Sequence, residues 1–164
     1  MQPWFHLEWK PERDLTFAVG CSSRPHNPLA AAHPDTFTSG LWKHDVGELF
    51  IKHAKDERYL EINLGPYGAW WACRFASYRK PAGDSELAPF KPVALDSSFN
   101  ESSWETRLTI SQRFLRKALQ ISPTSRANIC FILGPADGRH HFSWAPLSHD
   151  PPNFHRVEDF VPLC

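Results

Sequence analysis

Apolar and polar residues alternate with a period of two over several short stretches of this chain, and prolines, glycines or charged clusters separate those stretches. Leu60, Ile62 and Leu64 share one face of a strand whose other face carries Tyr59, Glu61 and Asn63. Just upstream, Leu49 and Ile51 alternate in the same way with Glu48 and Phe50, and the charge-rich segment 54–58 supplies the turn between the two strands. Gly65-Pro66-Tyr67-Gly68 reverses the chain. Residues 69–79 then place Trp71, Cys73, Phe75 and Ser77 on one side and Trp70, Ala72, Arg74, Ala76 and Tyr78 on the other. Further strands are predicted at 5–9, 15–21, 91–95, 104–110, 128–133 and 140–144. Residues 111–119 form the one segment at helical spacing, with Ser111 as N-cap, Phe114, Leu115 and Leu119 as its apolar positions and Pro123 beyond its end. Residues 22–40, rich in proline, histidine and small side chains, read as a long surface loop of the kind that often carries function. The predicted fold is all-β: a two-sheet antiparallel β-sandwich, jelly-roll-like in its connections, with one short helix.

At 164 residues the chain makes a single domain, 1–164, which can bury roughly 70% of the surface its unfolded form exposes. Its 41% hydrophobic and 22% charged residues are a globular balance and exclude disorder as the default state. Basic and acidic residues cancel at 18 each, so neither nucleic acid nor an anionic membrane is an expected partner. No stretch approaches the roughly 20 apolar residues of a membrane span. The first residues lack the basic start and apolar run of a secretion signal, so a cytoplasmic location is expected. Cys21, Cys73, Cys130 and Cys164 then read as thiols rather than a disulfide framework, with the terminal Cys164 the one open to exposure.

Candidate chemistry comes from the polar face of the central strands. Glu48, Glu61, Asn63 and Arg74 form a set of hydroxyl acceptors and donors, and Arg presents a planar fork. Trp42 and Trp144, at the edges of such a patch, have the flat apolar faces that pack against the C–H surface of a pyranose ring. The same residues also fit an ordinary solvated sheet face with cross-strand ion pairs, each worth about 1 kcal/mol or less.

The order Leu41-Trp42, Asp45, Glu48-Leu49-Phe50, then Tyr59-Leu60-Glu61-Ile62-Asn63, Pro66 and Gly68-Ala69-Trp70 resembles the DOMON-like domains related to family-nine carbohydrate-binding modules. Pro151-Pro152-Asn153-Phe154-His155 followed by Phe160 is similar to the closing motif of the same group, so the resemblance spans nearly the whole chain. It implies a noncatalytic β-sandwich that recognises a small saccharide or glycan end. Trp42 and Trp144 would sandwich the sugar, with Glu48, Glu61, Asn63 and Arg74 reading its hydroxyls. Those modules are typically appended to secreted polysaccharide-degrading enzymes, a context this chain does not display. Calcium is implied by the resemblance alone. No acidic cluster dense enough to hold it stands in the sequence, and no cofactor is expected.

Other chemistries fit less of the pattern. His140, His141, His149 and His155 with Asp150 offer metal ligands, but their spacing matches no strong motif, and His140 and His141 point to opposite faces of a strand. Glu48 and Glu61 could act as a glycosidase pair, which needs carboxylates about 5 to 9.5 Å apart. An intracellular enzyme acting on a carbohydrate-derived molecule with a Glu acid or base is therefore one alternative, and a protein-interaction sandwich is another. No nucleophile elbow accompanies the serines. Met/His haem ligation lacks an internal methionine, since Met1 stands alone, while bis-histidine ligation stays open.

Overall fold

The computed structural model describes residues 1–29, 35–146 and 152–163. His149, Asp150, Pro151 and Cys164, named above, lie outside them, as do residues 30–34 of the long loop. Among the described residues eleven strands form two antiparallel sheets. The smaller sheet has the order β1 (Pro3–Glu8), β2 (Leu15–Cys21), β8 (Trp104–Ile110), β7 (Ala94–Phe99). In the larger, β10 (His140–Ser143), β9 (Arg126–Leu133), β3 (Val46–Lys52), β4 (Tyr59–Leu64), β5 (Trp70–Ser77) and β6 (Lys80–Pro81) follow one another. β11 (Val161–Pro162) pairs with the start of β9, on the edge that β10 uses further along. The all-β sandwich expected from the alternation is the fold found.

The main core lies between the sheets. Phe17 and Val19 of β2 and Leu108 and Ile110 of β8 meet Leu49, Ile51, Leu60 and Ile62 of the larger sheet, and all eight are buried. β8 keeps a strict in-out alternation because its other face meets solvent. The two layers are in close contact at Gly47, where a Cβ would fall 2.6 Å from Cγ1 of Val19. Helix α1 (Gln112–Leu119) closes one end through Leu115 and Leu119. Its cap differs from expectation: Ser111 makes no side-chain bond, and the first amide, that of Gln112, donates to Asp14 Oδ1 at 2.9 Å. The strand expected at 91–95 forms instead at Ala94–Phe99, paired along its length with β8.

The central strands of the larger sheet are buried on both faces, and every residue of β4 is buried. Its second face, away from the smaller sheet, carries another apolar layer: Val46, Phe50, Tyr59, Trp71 and Phe75, covered by Leu41, Phe154 and Phe160. Trp70 and Trp71 divide between the two layers, as alternation requires. Cys21, Cys73 and Cys130 are free and buried. Among the described residues no helix is long and apolar enough to cross a membrane.

Candidate functional site

The second face is only partly filled. Between the sheet and the segments that cover it lies a cavity of about 330 Å³. Glu48 and Glu61 form its floor, Trp42, Trp71, Phe75 and Phe154 its aromatic wall, and His141, His155 and Arg79 its polar rim.

Register explains how the two carboxylates meet. Glu48 pairs across β3 and β4 with Asn63, and Phe50 pairs with Glu61, so the glutamates are diagonal neighbours on one face, a placement that sets Cβ atoms roughly 7 to 8 Å apart or less. Both are nearly inaccessible, at 3% and 4% exposure. Burial pushes the Glu48 carboxyl well above the usual carboxylate range, and the charge of Glu61 pushes it further. Burial also pushes Glu61 up to about 7, against the hydrogen bond from Asn63 and the charge of Arg79, which hold it down.

Glu61 sits at the end of a polar chain. Asn63 Nδ2 donates to its Oε1 at 3.0 Å, and His155 Nε2 stands 3.8 Å from its Oε2. The other ring nitrogen of His155 is 2.8 Å from the hydroxyl of Tyr59, which accepts the backbone N–H of Arg79 at 3.1 Å. The neutral imidazole carries a single proton, which lies either on Nδ1 toward the Tyr59 hydroxyl or on Nε2 toward Glu61. Burial, then the charge of Arg79, lowers His155 to about 4, so the ring is neutral at physiological pH.

Trp42 enters the wall from a single 3₁₀ turn, Leu41–Lys43. Leu41 anchors it in the second core, and Gly40 opens it at φ 85°, a conformation that favours glycine. Arg139 clamps the turn from the β9–β10 connection: its guanidinium donates to the carbonyls of Lys43 (2.8 Å), His44 and Ile132 (3.1 Å). Asp45 fixes the next residues by accepting the backbone N–H groups of His26 (2.6 Å), Asn27 (2.9 Å) and Gly134 (2.7 Å). The Trp42 ring meets Trp71 at 5.2 Å between centroids and 64° between planes, and stays 40% exposed.

Of the residues singled out from the sequence, the structure brings Trp42, Glu48 and Glu61 together at the cavity, with Asn63 buried beside Glu61. Arg74 and Trp144 are elsewhere. Arg74 pairs with Leu60 and shares the opposite sheet face with Ala72 and Trp70, while Arg79, past the end of β5, is the arginine at the rim. On β10, His141 and Ser143 pair with Ile132 and Cys130 of the cavity face. Continuing that alternation turns Trp144 away, toward Phe5 of β1 at 5.8 Å. The second tryptophan of the wall is therefore Trp71. His155 belongs to the proline-rich closing segment noted in the sequence. Alternation puts Trp71 and Phe75 on a common strand face, and the pairing of Glu61 with Cys73, which the sequence does not reveal, makes Glu61 share it. Among the described residues no group of three or more His, Cys, Asp or Glu is arranged to hold a metal ion.

No family model matches the chain. It is 25% identical over 139 residues to the UPF0462 protein C4orf33 homolog of Danio rerio, a match covering 81% of this chain and 66% of that protein. Against the homolog of the same name from Rattus norvegicus it is 29% identical over 142 residues, covering 83% and 66%. The chain thus spans just under two thirds of the length of these relatives. Among solved structures, a Bacteroides uniformis protein described as a "putative carbohydrate-binding protein" superposes with a TM-score of 0.62 at 20% identity, covering 97% of this chain and 83% of its own. At that identity the likeness establishes the shared fold.

Proposed function

We propose that the protein binds a small saccharide or glycan end, without chemistry on it, in the cavity on the second face of the larger sheet. The observation that carries this reading is the pairing of an aromatic wall with a floor of buried hydrogen-bonding groups. Trp42 and Trp71 offer apolar ring surface to sugar C–H groups, while Glu48 and Glu61 accept or share protons with hydroxyls. A volume of about 330 Å³ lies at the small end of ligand pockets and suits one or two rings. The fold shared with the Bacteroides uniformis protein supports the reading, as does the resemblance to DOMON-like and family-nine carbohydrate-binding modules.

Calorimetric titration with a panel of mono- and oligosaccharides tests it. Binding in the millimolar range or tighter, weakened by Trp42→Ala, is the expected result. Absence of binding across the panel, or full affinity in Trp42→Ala, overturns it.

One observation favours a second reading. Both carboxyls hold their protons more tightly than usual, which a general acid at neutral pH requires. On this reading the protein hydrolyses a glycoside; turnover lost in Glu48→Gln while binding persists is its signature, and no turnover across a glycoside panel removes it.

A further inference from the structure

The cavity floor is rich in acceptors and poor in donors. Glu48 lines it at 3% exposure and, among the described residues, receives no hydrogen bond and joins no ion pair within 4 Å. Glu61 keeps Oε2 facing a neutral imidazole at 3.8 Å, and the buried Oδ1 of Asn63 on the same sheet face has no partner.

Among the described residues the nearby guanidinium groups make no ion pair with the carboxyls. Arg139 gives its terminal N–H groups to three backbone carbonyls while its Nε–H stays buried without a partner, and Arg79 turns its guanidinium to Asn153 Oδ1 at 3.5 Å and to the ring of Tyr78. The remaining titratable groups facing the pair supply no positive charge at neutral pH: Cys130 opposite Glu48, Cys73 opposite Glu61, and His141, whose ionisation burial lowers. Two carboxyls are thus held together under aromatic rings with no guanidinium or ammonium group of the described residues within ion-pair distance, Arg139 and Arg79 acting on them only from further away, and such groups keep a proton until a closer cation arrives. Aromatic faces around the site suit an organic cation better than a hydrated metal ion, because the ring quadrupole attracts an ammonium that sheds its water.

We propose that the cavity selects a ligand carrying a protonated amine, and, resting on the saccharide reading above, that this ligand is an amino sugar. The ammonium lies over Glu48 and Glu61 and donates to their unfilled oxygens, while the sugar ring packs on the aromatic wall. On binding, the proton retained by the carboxyl pair passes to solvent, leaving ionised carboxylate against the ammonium. No covalent bond changes.

Calorimetry on the whole chain with glucosamine, glucose, N-acetylglucosamine and cyclohexylamine, at neutral pH in buffers of different ionisation enthalpy, separates the components. Glucosamine should bind about tenfold or more tighter than glucose or N-acetylglucosamine, the increment of charge-assisted hydrogen bonds. Its apparent enthalpy should vary with buffer because a proton is released, and both effects should shrink in Glu48→Gln and Glu61→Gln. If glucosamine and glucose bind alike and no proton is released, the amine selection is wrong and the saccharide reading stands. If cyclohexylamine binds as tightly as glucosamine and no neutral sugar binds, amine selection stands and the saccharide reading falls. No binding by any of the four overturns both. The buffer dependence is read on the unaltered protein, so it does not depend on the variants folding.

Discussion

Replacing Glu61 by glutamine should stabilise the protein in alkaline solution and leave it unchanged in acid. In the native state burial lifts this carboxyl to about 7 from its ordinary 4.5. Between those values the folded chain binds a proton that the unfolded chain has released, so stability falls as pH rises through the window, and above it the full cost is present. At 1.36 kcal/mol per unit of difference that cost is roughly 3 kcal/mol. Glutamine keeps an oxygen for Asn63 Nδ2 and cannot ionise, so the variant should gain about this amount above pH 7, roughly 6 to 12 °C in melting temperature for a domain of this size. His155 works in the opposite sense. Lowered to about 4 from 6.5, it must charge on unfolding, and the stability it contributes above 6.5 is lost as pH falls toward 4. With Glu61 intact its slope opposes that of His155 in mildly acid solution, and Glu61→Gln should remove that share, leaving the His155 slope opposed by Glu48 only. Urea unfolding followed by tryptophan fluorescence, run from acid to alkaline pH on both proteins, measures the difference directly. A variant whose pH profile matches the parent's, or that is destabilised above pH 7, would refute a buried carboxylate whose desolvation outweighs its hydrogen bond and the charge of Arg79.

Asp45→Ala removes the acceptor of three backbone N–H groups in a residue 1% exposed and should cost on the order of 3 to 5 kcal/mol in denaturant unfolding; a loss under 1 kcal/mol would show the loop held by other means. Trp42→Ala should weaken saccharide binding while Trp144→Ala leaves it unchanged, because Trp144 packs on Phe5 away from the cavity; equal losses in the two titrations would contradict this placement. Gly47→Ala should destabilise by about 1 to 3 kcal/mol, since its methyl would press on Val19 between the sheets, and a neutral effect on thermal unfolding would mean that the layers sit further apart.

The sequence alone determined the sandwich and the faces of single strands. Leu49, Ile51, Leu60, Ile62 and Leu64 had to share one environment because side chains alternate across a strand, and that environment is the main core. It also brought Trp42, Glu48 and Glu61 forward. What period-two alternation cannot supply is the register between strands and what covers a face. The reversal at residues 65–69 pairs Glu61 with Cys73 and Leu60 with Arg74, which sends Arg74 to the face opposite the carboxylates and brings Trp71 and Phe75 to theirs. Only packing of the 3₁₀ turn and residues 152–163 over that face turned a polar surface into a cavity, and this burial, not residue type, raises both carboxyls and neutralises His155. Local pattern sets which way a side chain points along its own strand; only long-range pairing and cover decide what it meets there and whether water reaches it.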